Sequence, residues 1–170
     1  MATIPFFKDP PKSLGWFHPT TLSATFFWSG LFFFAPGTAG SAAAIPFAFI
    51  IAYFIHSLAL IPAALIAYVI GMAVAGKFAD AAETKDPGPV VIDEVAGQWI
   101  TLALIPVDPV LYIIGFFLFR LLDIVKPWPA SWADKKLDGA LGIMLDDVIS
   151  GVYGMILLWA GWMAYLHYVG

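Results

Sequence analysis

Residues 84–94 read Thr84-Lys85-Asp86-Pro87-Gly88-Pro89-Val90-Val91-Ile92-Asp93-Glu94 and lie between two long apolar runs, 61–83 and 90–105. The Pro/Gly cluster cannot continue a helix, so the chain must turn there. Beyond the turn, two carboxylates stand in the opening turns of an otherwise apolar segment. Long apolar runs bounded in this way read as membrane helices, because only helices and closed barrels satisfy their backbone polar groups in lipid, and barrel-type alternation is absent. Composition agrees: of 170 residues 61% are hydrophobic and 12% charged, with a mean hydropathy of +0.88, values of an integral membrane protein.

Working outward, the run 24–34 is too short for a hydrocarbon core that needs about 20 residues, so it reads as a re-entrant or interfacial segment. Residues 42–56 form a marginal span. The run 61–83 follows, with Pro62 in its first turn, where a missing N–H costs nothing. After 90–105 come the tight turn 106–109, the run 110–125, a Pro/Trp/Lys connector over 126–139, and the run 141–168. The expected fold is all-α: a polytopic membrane bundle of about five membrane-embedded helices plus the short N-terminal segment. Residues 1–20 form a polar N-terminal stretch, and 21–170 a single membrane-embedded domain. Trp99, Trp128, Trp132, Trp159 and Trp162 read as interfacial anchors.

Each spanning helix reverses the side of the next loop. With the Asp86 loop on one side, the following helix leaves that side and turns at Asp108. The next helix returns and delivers Asp123 and Lys126, and the last departs carrying Asp146 and Asp147. Six carboxylates (Asp86, Asp93, Glu94, Asp123, Asp146 and Asp147) therefore share one side. Lys77, Lys85, Arg120, Lys126, Lys135 and Lys136 fall there too, which makes it the cytoplasmic side by the positive-inside rule.

Acids at such positions mark ion, proton or substrate sites, since burying a charge in lipid is costly. Simpler roles compete at single positions. Asp86 suits a helix cap as well as a ligand. Asp123 opposes the helix dipole at a C-terminus and needs a cation, which Arg120 at i−3 or a metal would supply. Gly97 clears space beside Asp93 and Glu94, and the glycines after Asp147 suit a packing seam. Neither role explains the adjacent acids Asp146 and Asp147. Clustered carboxylates beside Lys and Arg suit a hard cation such as Mg2+ that bridges to a phosphate, as one ion or two. Arg120 and Lys126 would hold the phosphate charge. The stretch Pro36-Gly37-Thr38-Ala39-Gly40-Ser41 offers backbone N–H groups and the Thr38 and Ser41 hydroxyls as an anion cradle, and equally serves as a turn and N-cap. There are no cysteines, and the three histidines are scattered, which disfavours cysteine-phosphatase and phosphohistidine routes. No basic stripe points to nucleic acid.

The segments 35–41, 85–98, 119–129 (Phe-Arg-Leu-Leu-Asp-Ile-Val-Lys-Pro-Trp-Pro) and 142–151 (Gly-Ile-Met-Leu-Asp-Asp-Val-Ile-Ser-Gly), in this order, resemble the bacterial phosphatidylglycerophosphatase A family from about residue 26 to the C-terminus. The resemblance implies a Mg2+-dependent, multi-pass inner-membrane phosphatase that converts phosphatidylglycerol phosphate to phosphatidylglycerol and inorganic phosphate at the cytoplasmic face. It maps the family's acids onto Asp86, Asp93, Glu94, Asp123, Asp146 and Asp147, and its basic positions onto Arg120 and Lys126. Catalytic work then falls to Asp93, Glu94, Asp146 and Asp147, with Glu94 or one of the 146/147 pair as base, or a carboxylate as nucleophile. Two other readings stand beside it. A CDP-alcohol phosphotransferase would continue Asp138-Gly139-Ala140 differently, and a divalent-cation channel or carrier would carry acids toward both faces. The sequence sets no oligomeric state.

Overall fold

The computed structural model describes residues 6–85 and 87–169, so the expectations placed on Asp86 lie outside the described residues. The chain is all helical: α1 (Pro19–Ala24), α2 (Pro36–Phe54), α3 (Leu60–Ala81), α4 (Ile92–Leu102), α5 (Pro109–Val125), α6 (Ala130–Lys136) and α7 (Gly139–Val169), with 3-10 turns at Ser29–Leu31 and Ser57–Ala59. Three helices, α2, α3 with its preceding turn, and α7, are long and apolar enough to cross a membrane. The shorter α4 and α5 have 11 and 17 residues. Large apolar side chains such as Ile50, Leu65, Phe117 and Leu157 face outward. In water each would forgo the transfer free energy of burial, whereas lipid accepts them.

The short α4 is the axis of the bundle, with nine of its eleven residues buried. Small residues make that burial compatible with close helix packing. A Cβ on Gly151 would stand 2.5 Å from the Gly97 carbonyl oxygen and 2.8 Å from its Cα, so the backbones of α4 and α7 touch there. One turn deeper, Thr101 Oγ1 lies 3.0 Å from the Gly97 oxygen and 3.3 Å from the Gly151 oxygen, tying the two helices together. The crossing fixes what lies one turn above it. Asp93 precedes Gly97 by four residues and Asp147 precedes Gly151 by four, so helical periodicity sets the two carboxylates face to face.

The helix α5 runs the other way. Asp108 caps it, its Oδ1 accepting from Val110 N at 2.8 Å and Leu111 N at 2.9 Å, with Pro109 in the first turn, so Asp108 acts as a helix start. Lys126 closes the helix in a left-handed conformation, φ 47°, turning the chain toward α6 and α7.

Two local readings need correction, those of the second helix's start and of Trp99. Within the run 24–34, Phe26, Phe27 and Trp28 all have positive φ and separate α1 from the 3-10 turn. The break is held by Thr25, whose hydroxyl donates to Thr21 O at 2.7 Å and accepts from Trp28 N at 3.1 Å. Residues 6–8 lie alongside, with Lys8 N donating to Leu31 O at 2.7 Å and Phe33 N to Phe6 O at 2.8 Å. The second helix starts at Pro36 rather than Ala42, so the 36–41 stretch forms its first turns. Trp99 is a core residue and not an interfacial anchor: it is buried, and its indole N–H donates to Ala44 O of α2 at 3.0 Å.

Candidate active site

The acidic end of α4 is held by its own loop and by the end of α1. Val90 N donates to Pro87 O and Val91 N to Ala24 O, both at 2.8 Å, while the apolar side chains of Val90, Val91 and Ile92 are buried. This anchoring presents Asp93 and Glu94 in the first helical turn, where the dipole favours negative charge. Asp147 comes from α7 across the glycine crossing. Ligand oxygens of Asp93, Glu94 and Asp147 all lie within 4.8 Å of one another.

The other two acids of the described set have protein cations as partners. Arg120 Nη1 is 2.9 Å from Asp123 Oδ2 and 3.7 Å from Glu94 Oε1, and it donates to Ser41 Oγ at 3.2 Å. The Lys126 ammonium contacts Asp146 Oδ2 and lies 3.6 Å from both Asp123 and Asp134. Burial of Lys126 works to lower its pKa, but the charges of Asp147, Asp146 and Asp123 together outweigh it and hold the group above the ordinary lysine value. It is therefore a cation throughout the neutral range. At the mouth, Lys85 and Asp138 pair at 2.6 Å. Their hydrogen bond and mutual charge raise the lysine pKa and lower that of the carboxyl.

One cavity of ≈ 390 Å³ joins these groups, lined by Thr38, Lys85, Asp93, Glu94, Arg120, Asp123, Lys126, Asp134, Asp146 and Asp147 among others. Within it, Glu94 Oε2, Asp146 Oδ1 and Arg120 Nε are buried without a hydrogen-bond partner. Native proteins seldom leave such atoms unpaired, so a cavity carrying three of them is shaped for a polar occupant. A cluster of carboxylate oxygens beside a guanidinium and an ammonium can take a hard cation on the acids and a phosphate on the basic groups.

The expected site residues thus converge, except Asp86, which is not described. Thr38 lines the cavity. Ser41 is buried, gives its hydroxyl hydrogen to Gly37 O at 3.0 Å and accepts from Arg120, so it steadies the guanidinium from behind. Three residues in or near the site were not singled out in the sequence. Asp134 lines the cavity and faces Lys126, but sits in a connector without apolar periodicity. Gly37 leaves room for the Glu94 carboxylate and Arg120, and its neighbour Pro36, a marker of a first helical turn, was the available signal. Gln98, one turn below Glu94, is fully buried with both amide atoms unpartnered, and a lone amide in an apolar helix flags it.

The family described as Phosphatidylglycerophosphatase A matches residues 22–162. The chain is 37% identical to Phosphatidylglycerophosphatase A of Escherichia coli (strain K12) over 164 residues, 94% of this chain and 93% of that protein. It is 34% identical to the Haemophilus influenzae protein of the same name over 154 residues, 90% of this chain and 94% of the relative. A Bacteroides thetaiotaomicron protein that carries a provisional name as a phosphatidylinositol-3-phosphatase is 38% identical over 144 residues, 81% of this chain and 89% of its own length. No solved structure matches the chain. The chain belongs to the phosphatidylglycerophosphatase A family of phosphatase enzymes.

Proposed function

We propose that this protein is a Mg2+-dependent phosphatase that hydrolyses phosphatidylglycerol phosphate to phosphatidylglycerol and inorganic phosphate at the cytoplasmic face of a bacterial inner membrane. The observation that carries this reading is the convergence of Asp93, Glu94 and Asp147 on a cavity that Arg120 and Lys126 also line. Family membership supports the activity and the substrate. Clustering of lysines and Arg120 on the carboxylate side supports the cytoplasmic orientation.

The three clustered acids fit Mg2+: their donors are all oxygens, and Glu94 Oε2 has no protein partner. Mg2+ held there would act as a Lewis acid toward the phosphoryl group and a water. Arg120, braced by Asp123 and Ser41, and Lys126, braced by Asp146 and Asp134, hold the phosphate oxygens and oppose charge as it grows in the transition state. Thr38 and the first N–H groups of α2 extend that anion-binding wall. Asp146, one oxygen fixed by Lys126 and the other unpartnered, accepts the proton of the attacking water. The water oxygen bonds to phosphorus as the bond to the glycerol oxygen breaks, and that oxygen leaves as the lipid hydroxyl once protonated.

The test is phosphate release by purified protein from phosphatidylglycerol phosphate, phosphatidic acid and phosphatidylinositol 3-phosphate, each with Mg2+ and with chelator, alongside Asp93→Asn. The reading expects chelator-sensitive release, fastest from phosphatidylglycerol phosphate and lost in the variant. Full activity in Asp93→Asn would sink the site, and preference for the inositol lipid would transfer the substrate assignment to the chemistry named for the Bacteroides relative.

A further inference from the structure

The cavity has two unlike rims. One is charged and open: Lys85 and Asp138 form their ion pair there with side chains 65% and 84% exposed, and Asp134 stands beside them at the cavity wall. The other lies between the first turn of α2 and the last turn of α5, and it is apolar. Ala35, Pro36 and Ile124 line the cavity, and Ile124 is 71% exposed. Phe34, 64% exposed, directly precedes this edge, and Leu121 continues it on α5. Among the described residues, the hydrogen bonds and ring contacts between these helices are the Arg120 to Ser41 hydrogen bond inside the site and the Phe49–Tyr112 contact at 5.9 Å toward the opposite end, and neither involves Pro36 or Ile124 at the cavity edge.

Arg120 and Ile124 are four residues apart, so they share one stripe of α5, a cation inside the cavity followed by an exposed apolar side chain at its edge. The proposed substrate has the same order of polarity, a terminal phosphomonoester joined through a glycerol and a phosphodiester to its hydrocarbon chains. We propose that the α2–α5 edge is the lateral portal of the site, with the substrate's acyl chains leaving over Phe34 and Ile124 into the bilayer while its phosphate lies against Arg120. This rests on the lipid-phosphatase reading and adds to it where the hydrocarbon lies. The charged rim cannot serve, because acyl chains crossing it would desolvate the Lys85–Asp138 pair without giving either charge a partner. Continuity with the cavity distinguishes this edge from the lipid-facing surface of α3, where Leu65 is exposed but does not line the site.

The experiment compares two substrates sharing one headgroup: long-chain phosphatidylglycerol phosphate in mixed micelles and its water-soluble deacylated form. For Phe34→Ser and Ile124→Ser, the ratio of kcat/KM on the long-chain lipid to that on the deacylated form should fall about tenfold, the scale of losing a few methylene contacts. Leu65→Ser, equally exposed to lipid, should leave the ratio at the wild-type value. Photo-crosslinking with a lipid phosphate bearing a diazirine on its acyl chain should label peptides containing residues 34 and 124 over those of α3. Unchanged ratios in both portal variants, an equal fall in Leu65→Ser, or labelling spread evenly around the bundle would overturn the portal. Absence of hydrolysis of both substrates by the wild-type protein would overturn the functional reading itself, and the portal with it.

Discussion

Gly37→Ala separates catalytic geometry from fold. A Cβ on Gly37 would overlap Glu94 Oε1 and come within 3.1 Å of Arg120 Nη2. Both atoms are at the far ends of flexible side chains, so the backbone has no need to move. Nonbonded heavy atoms settle about 3.5 Å apart, and restoring that spacing drives the Glu94 carboxylate back by more than about 1 Å. Its oxygen then leaves the group it forms with Asp93 and Asp147. Misplacement on this scale costs about 10²-fold in rate, or about 2.7 kcal/mol of transition-state stabilisation. Alanine is meanwhile the better helix former by up to about 1 kcal/mol, and Gly37 lies in the first turn of α2. The variant should therefore lose about 10²-fold in kcat for phosphate release while its thermal unfolding temperature holds or rises. A folded variant with kcat within about threefold of wild type would refute the placement of Glu94, and a rate loss accompanied by a falling unfolding temperature would refute the claim that the fold is indifferent to this methyl group.

Asp147→Asn should lower kcat by at least about 10²-fold without unfolding the protein, as a loss of transition-state electrostatics does; steady-state phosphate release with a parallel melt checks both halves. Gly151→Ala meets the Gly97 backbone, which cannot rotate away, so it should destabilise the bundle by about 1–3 kcal/mol, whereas Gly161→Ala, with open space around its Cβ, should be neutral or slightly stabilising in the same denaturation assay. Lys126 has a raised pKa in the folded state, so its contribution to stability is fully present below the ordinary lysine value of about 10.4 and is lost only as pH rises through the higher folded value. The difference in unfolding temperature between wild type and Lys126→Met should accordingly stay constant from pH 7 to about 10 and narrow above it; narrowing already near pH 8 would contradict the carboxylate cage around this residue.

Much of this arrangement is legible in the sequence because proline and acid punctuate it sharply. The runs 110–125 and 141–168 are observed as Pro109–Val125 and Gly139–Val169, since Asp108-Pro109 starts one helix and Gly139, at φ 66°, permits the turn into the other. Helix parity brought Asp93, Glu94, Asp123, Asp146 and Asp147 to one end, and motif resemblance supplied the chemistry. Other features depend on rotation and register between helices, which hydropathy does not encode. The glycine crossing at Gly97 and Gly151 decides that Asp147 joins Asp93 and Glu94 while Asp146 turns to Lys126. Trp99 looks like a boundary residue in one dimension and becomes a core residue because α4 runs through the centre of the bundle. The break at residues 26–28 arises from three successive positive-φ residues, none of them glycine, so composition gave no warning of it.

The central claim is that Asp93, Glu94 and Asp147 hold the cation that the phosphatase uses. It is tested most directly by titrating Mn2+, as a paramagnetic substitute for Mg2+, into the purified protein and into Asp147→Asn, and counting bound ions by electron paramagnetic resonance. The account predicts one tightly bound ion per wild-type chain and affinity weaker by at least about tenfold in the variant, with the same ion restoring phosphate release to chelator-stripped wild type. Equal Mn2+ affinity in both proteins would contradict it.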